Sequence, residues 1–111
     1  IPYPRYDFYN LALGGYGGLE HDDCTVLMSD PNAMLDRSLY IEWLGLVCHE
    51  FFHTWNVRRL RPRALVQYDY QNEQYTRELW IAEGITSYFD DLLVLRAGVI
   101  SETEYLVQLT K

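Results

Sequence analysis

Apolar and polar positions along the chain change period several times. Tyr6, Phe8, Leu11 and Leu13 come close to alternation, which predicts a strand. A second short apolar run, CTVLM at 24–28, follows a glycine-rich segment and also reads as a strand. The two runs are expected to form a hairpin, or to be edge strands joined by the glycine-rich turn. SDPNAMLDRS at 29–38 is rich in turn formers and offers Asp36 and Ser38 as helix caps. From 39 to 56 the period becomes helical, with Ile41, Leu44, Cys48, Phe51, Phe52 and Trp55 recurring three or four apart. This helix is apolar on most sides and is expected to be buried. Gly45 is unfavourable inside it, which suggests a neighbour packed closely there. Pro62 prevents continuation, and 63–76 reads as irregular. RELWIAEGITSYFDDLLVLRA at 77–97 predicts a second long buried helix, stopped by Gly98. SETE from Ser101 is a capping box opening a short third helix. The expected fold is α+β: a small antiparallel strand or hairpin element, then two long buried helices and a short third.

Composition narrows the function. Residues 1–111 contain no linker, repeat or low-complexity tract and are expected to form one domain. The modest core this length permits, and a first residue that is Ile1, suggest a segment of a larger protein. A net charge of −7 argues against nucleic acid and anionic membrane partners, which need clustered Lys and Arg. The basic cluster RRLRPR at 58–63 is too small to change that. No apolar run approaches the roughly 20 residues of a membrane span. Cys24 and Cys48 are read as free thiols, which leaves the compartment open between cytoplasm and periplasm.

The chemistry enters at His49-Glu50-Phe51-Phe52-His53, the HExxH pattern. Residues four apart share one helix face, so both imidazoles can reach one metal ion. Glu50 is rotated about 100° from His49 and can take a proton from a metal-bound water. A hydrolytic zinc site also needs a third protein ligand and an open position. The spacing HExxHxxGxxH is excluded, because Asn56 and Arg59 stand where its glycine and histidine would be. His21 is a possible third ligand, and Glu83 is the better one: a carboxylate in an apolar stretch opening the second helix. Asp90, seven residues on and on the same face, could accept the other N–H of a ligating histidine. A di-iron bundle site would need a second Glu-x-x-His, which the chain lacks.

GGYGGLEH, HEFFHTWNVRRLRP and LWIAEGITSYFDDLLVLRAG, in this order over nearly the whole chain, resemble the M61 glycyl aminopeptidase family of zinc metallopeptidases. The second helix is more distantly similar to the NEGFASYFE segment of M1 aminopeptidases. The resemblance implies a zincin-like, thermolysin-like catalytic core with Zn2+ on His49, His53 and Glu83, and Glu50 as the base. The 29 residues between His53 and Glu83 exceed the M1 spacing, in keeping with an M61-like insertion. It also implies an N-terminal β-rich domain and a C-terminal PDZ domain, neither of which fits within this chain.

The glycines of 14–18 match no phosphate cradle, since neither GxxxxGK[ST] nor a helix-opening GxGxxG is present. GGLEH instead resembles the GAMEN strand of M1 enzymes, which pairs with the substrate backbone. That likeness implies that Gly17 and Gly18 leave room for a peptide along the strand edge, and that Glu20 holds its free ammonium. His21 stands where M1 enzymes have Asn, and it has three open readings: donor, metal contact or structural residue. Arg58, Arg59 and His21 are in-chain candidates for stabilising an oxyanion. The expected function is zinc-dependent removal of N-terminal residues from a peptide substrate. The alternatives are an endopeptidase with the same site, or an inactive zinc-stabilised fragment that needs neighbouring domains.

Overall fold

The computed structural model describes residues 3–111. Three strands, β1 (Asp7–Leu11), β2 (Gly17–Glu20) and β3 (Cys24–Met28), precede helix α1 (Arg37–Phe52). A 3-10 turn (Arg63–Leu65) leads to α2 (Leu79–Arg96) and α3 (Glu102–Gln108). The α+β class and the order of elements follow the sequence reading.

The sheet differs from it in detail. Strand order is β1-β3-β2, with β3 parallel to β1 and antiparallel to β2. The two apolar runs are therefore not the arms of one hairpin. The hairpin joins β2 to β3, and its turn is His21–Asp23, closed by the His21 amide donating to the Cys24 carbonyl at 2.8 Å. The glycines split between two jobs. Gly14 and Gly15, at φ 79° and 93°, bend the chain ahead of β2. Gly17 and Gly18 lie within that strand. A four-residue strand that is half glycine carries almost no alternation, so periodicity overlooks it.

One face of β3 supplies Thr25 and Leu27, both fully buried and two residues apart. Aromatic side chains complete the contact between sheet and helix: Phe51 of α1 meets Tyr6 edge-on at 5.0 Å and Phe8 at 5.8 Å. Asp36 caps α1 by accepting from the Leu39 amide at 3.0 Å. Between the helices, Ile41, Val94 and Ile100 form the buried cluster, flanked by Leu44 and the free thiol Cys48. Burial pushes that thiol up to about 11, so it stays protonated and behaves as a small hydrophobe. Gly45 is buried at this contact, and a Cβ there would come within 3.1 Å of Asp91 Oδ1. The close packing expected at Gly45 is what the structure shows.

The second helix is less covered than its sequence suggests. Trp80 is 70% exposed and Tyr88 62%. A helix apolar all round needs partners on all sides. Here α1 covers one side and α3 part of another. No helix among the described residues is long and apolar enough to cross a membrane.

The third helix begins with the expected capping box. Ser101 Oγ accepts from the Glu104 amide at 3.2 Å, and Glu104 accepts from the Ser101 amide at 2.8 Å. Glu104 also receives Arg37 from the start of α1, at 2.8 and 3.2 Å. Arg37 and the Ser101 donors hold its carboxyl at about 2, down from 4.5. A lowered carboxylate pKa stabilises the fold above the unfolded value, and that contribution disappears as pH falls toward about 2. Glu104→Gln is therefore expected to lower stability at neutral pH and to flatten its pH dependence between 4.5 and 2. Urea melts across that range read the slope, and an unchanged acid limb would contradict the assignment.

Candidate active site

The site is assembled from the end of α1, the start of α2 and the β2 edge. His49 on α1 and His53, the residue that caps its C-terminus, are one turn apart, with ring centroids 4.8 Å apart. Their Nε2 atoms approach the same oxygen, Glu83 Oε2 of α2, at 3.2 Å for His49 and 3.5 Å for His53. Ligand atoms of all three lie within 4.8 Å of one another. Donors ~2.1 Å from a tetrahedral zinc ion are ~3.4 Å apart, so these separations suit such an ion.

The far side of each ring is held as a metal ligand requires. His49 Nδ1 contacts Asp90 Oδ2 at 2.9 Å, and His53 Nδ1 contacts the Asn56 carbonyl at 2.8 Å. A carboxylate and a carbonyl can only accept, so each Nδ1 donates, which leaves each Nε2 as the ring atom turned toward Glu83 and available to a cation. Burial opposes charge on His49, but the Asp90 hydrogen bond and charge outweigh it, with Glu50 and Glu83 adding to the effect. The net result is a raised pKa.

Asn56, which the sequence offered only as a missing glycine, is 8% exposed and braces the site. Its amide donates to the Ile81 and Ala82 carbonyls at 3.1 and 2.9 Å and to Thr86 Oγ1 at 3.1 Å. One side chain thus ties the loop after α1 to the first turn of α2, which carries Glu83. Thr86 is fully buried and donates to the Ala82 carbonyl at 2.6 Å. A buried Asn in an aromatic segment is a signal in itself, because an unpaired amide there is costly. The next residue, Val57, adopts φ 135°, a region that branched side chains avoid. Arg58 N donating to the His53 carbonyl at 2.9 Å and Arg61 donating to the Val57 carbonyl at 3.0 Å hold the chain there. Asn56→Ala is expected to cost about 1–3 kcal/mol and to weaken zinc binding by roughly tenfold. Denaturant melts and a zinc titration measure the two effects, and unchanged zinc affinity would show that Asn56 serves only the fold.

Glu50 is 5% exposed, and its Oε2 has no hydrogen-bond partner among the described residues. Burial pushes its pKa up, the two histidines pull it down, and Glu20 and Glu83 push it up again. Its carboxyl lies flat against β2: a Cβ on Gly18 would sit 2.3 Å from Glu50 Cδ and 2.4 Å from Oε1. A side chain at Gly18 would thus collide with Glu50, a demand that the sequence reading did not anticipate. Gly17 has open space around it. Glu20, half-buried at the end of β2, joins Glu50 and His53 in a second group whose ligand atoms lie within 4.8 Å of one another. His21 belongs to neither group, and its Nδ1 contacts the Leu19 carbonyl at 3.2 Å. Arg58 is paired with Asp22 at 2.8 Å, and Arg59 with the Thr54 carbonyl.

An orphaned buried carboxylate, Glu50, beside two oriented imidazoles and a second carboxylate, Glu83, makes a donor set that fits a hydrolytic zinc centre. Known proteins share the framework. A crystal structure of an aminopeptidase N family protein from Idiomarina loihiensis superimposes with a TM-score of 0.88 at 40% identity over 95% of this chain. The chain spans 19% of that protein's length. No curated protein matches at a significant level. Fold and likeness together place the chain within a peptidase-type framework. The family model of the M61 glycyl aminopeptidases matches residues 42–111, and the chain belongs to that family.

Proposed function

We propose that this chain is the zinc-binding core of an aminopeptidase, with His49, His53 and Glu83 as ligands and Glu50 as general base. The observation that carries the reading is the convergence of His49 Nε2 and His53 Nε2 on Glu83, with both Nδ1 atoms bound to acceptors. Zinc held there would lower the pKa of its water and polarise the scissile carbonyl. Glu50 accepts the water's proton at its unpartnered Oε2 and passes it to the leaving amine. Asp90 keeps His49 turned toward the ion. Strand β2 lies at the edge of the sheet, so a peptide can add alongside Gly17 and Gly18 by backbone pairing. Glu20, at the end of that strand and beside Glu50, then receives the substrate's free ammonium.

Peptides with free and acetylated amino termini test the reading. Cleavage of the free form alone, lost in Glu20→Gln, is expected. Equal cleavage of both forms would assign an endopeptidase. Zinc binding without turnover, with turnover in a longer protein carrying this segment, would assign completion of the cleft to flanking domains.

A further inference from the structure

We infer that Glu20 and Glu50 form a second, weaker divalent-cation subsite that borders the first at His53. The inference rests on the zinc reading above and goes beyond it. Glu20, Glu50 and His53 offer ligand atoms within 4.8 Å of one another, a set that shares only His53 with His49, His53 and Glu83. Glu50 Oε2 is buried and has no hydrogen-bond partner among the described residues. A buried carboxylate oxygen without a donor calls for a proton or a cation.

The two sets compete for one atom. His53 Nδ1 is committed to the Asn56 carbonyl at 2.8 Å, which leaves only Nε2 to share. That nitrogen also faces Glu83 at 3.5 Å. The first set adds His49, oriented by Asp90, and so takes His53. The second set then keeps two carboxylates, with solvent completing the shell of a bound ion. Two anionic oxygen donors without the imidazole make a weaker site, further weakened by repulsion from the first ion. Because this ion covers both the base and the ammonium-binding carboxylate, excess zinc is expected to inhibit in competition with the substrate's amino terminus.

Zinc alone, titrated into the chelator-stripped chain and followed by calorimetry, tests this. The expected isotherm has one tight equivalent and a second, weaker one. Glu20→Gln should keep the tight step, which shows that the variant is folded, and weaken the second by at least about tenfold. A tight equivalent with no second step up to millimolar zinc, or a second step unchanged in Glu20→Gln, overturns the second subsite alone. Loss of both steps in Glu20→Gln overturns the separation of the two sites. Absence of the tight step in the unmutated chain refutes the zinc centre itself, and this inference with it.

Discussion

Glu50→Gln is expected to lower kcat by ~10²–10⁴-fold while leaving the tight zinc equivalent in place. The amide keeps the size of the carboxylate and its place against Gly18, but it cannot take a proton from water. Nothing in the fold depends on the lost charge, since Oε2 has no donor to lose. Removing an unpaired buried charge should even raise the melting temperature slightly. The variant thus separates chemistry from binding: kcat falls, KM for a free-amine peptide changes little, and zinc content is unchanged. Turnover within a few-fold of the unmutated protein would remove Glu50 from the role of base.

Gly18→Ala is the second large effect. Its Cβ would fall 2.3 Å from Glu50 Cδ, well inside contact distance. Either the carboxyl rotates away or β2 shifts from β3. Overpacking of this kind costs about 1–3 kcal/mol. A displacement of the base by about 1 Å is worth ~100-fold in rate. Gly17→Ala separates the two demands in part: its methyl group meets nothing within 4 Å, but at φ 157° it strains the backbone, so a smaller loss than that of Gly18→Ala is expected there. Gly18→Ala is therefore expected to lose activity about 100-fold with zinc still bound. Activity within a few-fold of the unmutated protein in Gly18→Ala would show that Glu50 does not depend on a bare backbone at 18.

Much of this was legible in the chain. Helix period and HExxH placed His49 and His53 on one face with Glu50 rotated beside them, because spacing of four is a property of the helix itself. Glu83 stood out as a charge in apolar surroundings, and Asp90 followed from its heptad spacing to Glu83. Gly45 was readable for the same reason: a poor helix former amid strong ones signals a tertiary demand. What escaped depended on partners distant in sequence. The parallel pairing of β1 with β3 leaves no local mark, since neither strand's pattern names its neighbour. Asn56 acts through carbonyls 25 and 26 residues away, and backbone acceptors look alike in any sequence. The function of Gly18 is set by a side chain 32 positions later, so the sequence shows the missing Cβ but not what fills its place. The exposure of Trp80 and Tyr88 was equally hidden, because an apolar helix reads as buried whether or not its partners are present.

The central claim is that one zinc ion sits between α1 and α2. Anomalous diffraction at the zinc edge from crystals grown with zinc tests it most directly. The expected result is a strong peak about 2.0–2.2 Å from His49 Nε2, His53 Nε2 and a Glu83 oxygen, with Glu50 outside that shell. A strong peak bound elsewhere, with none among these three side chains, would contradict it.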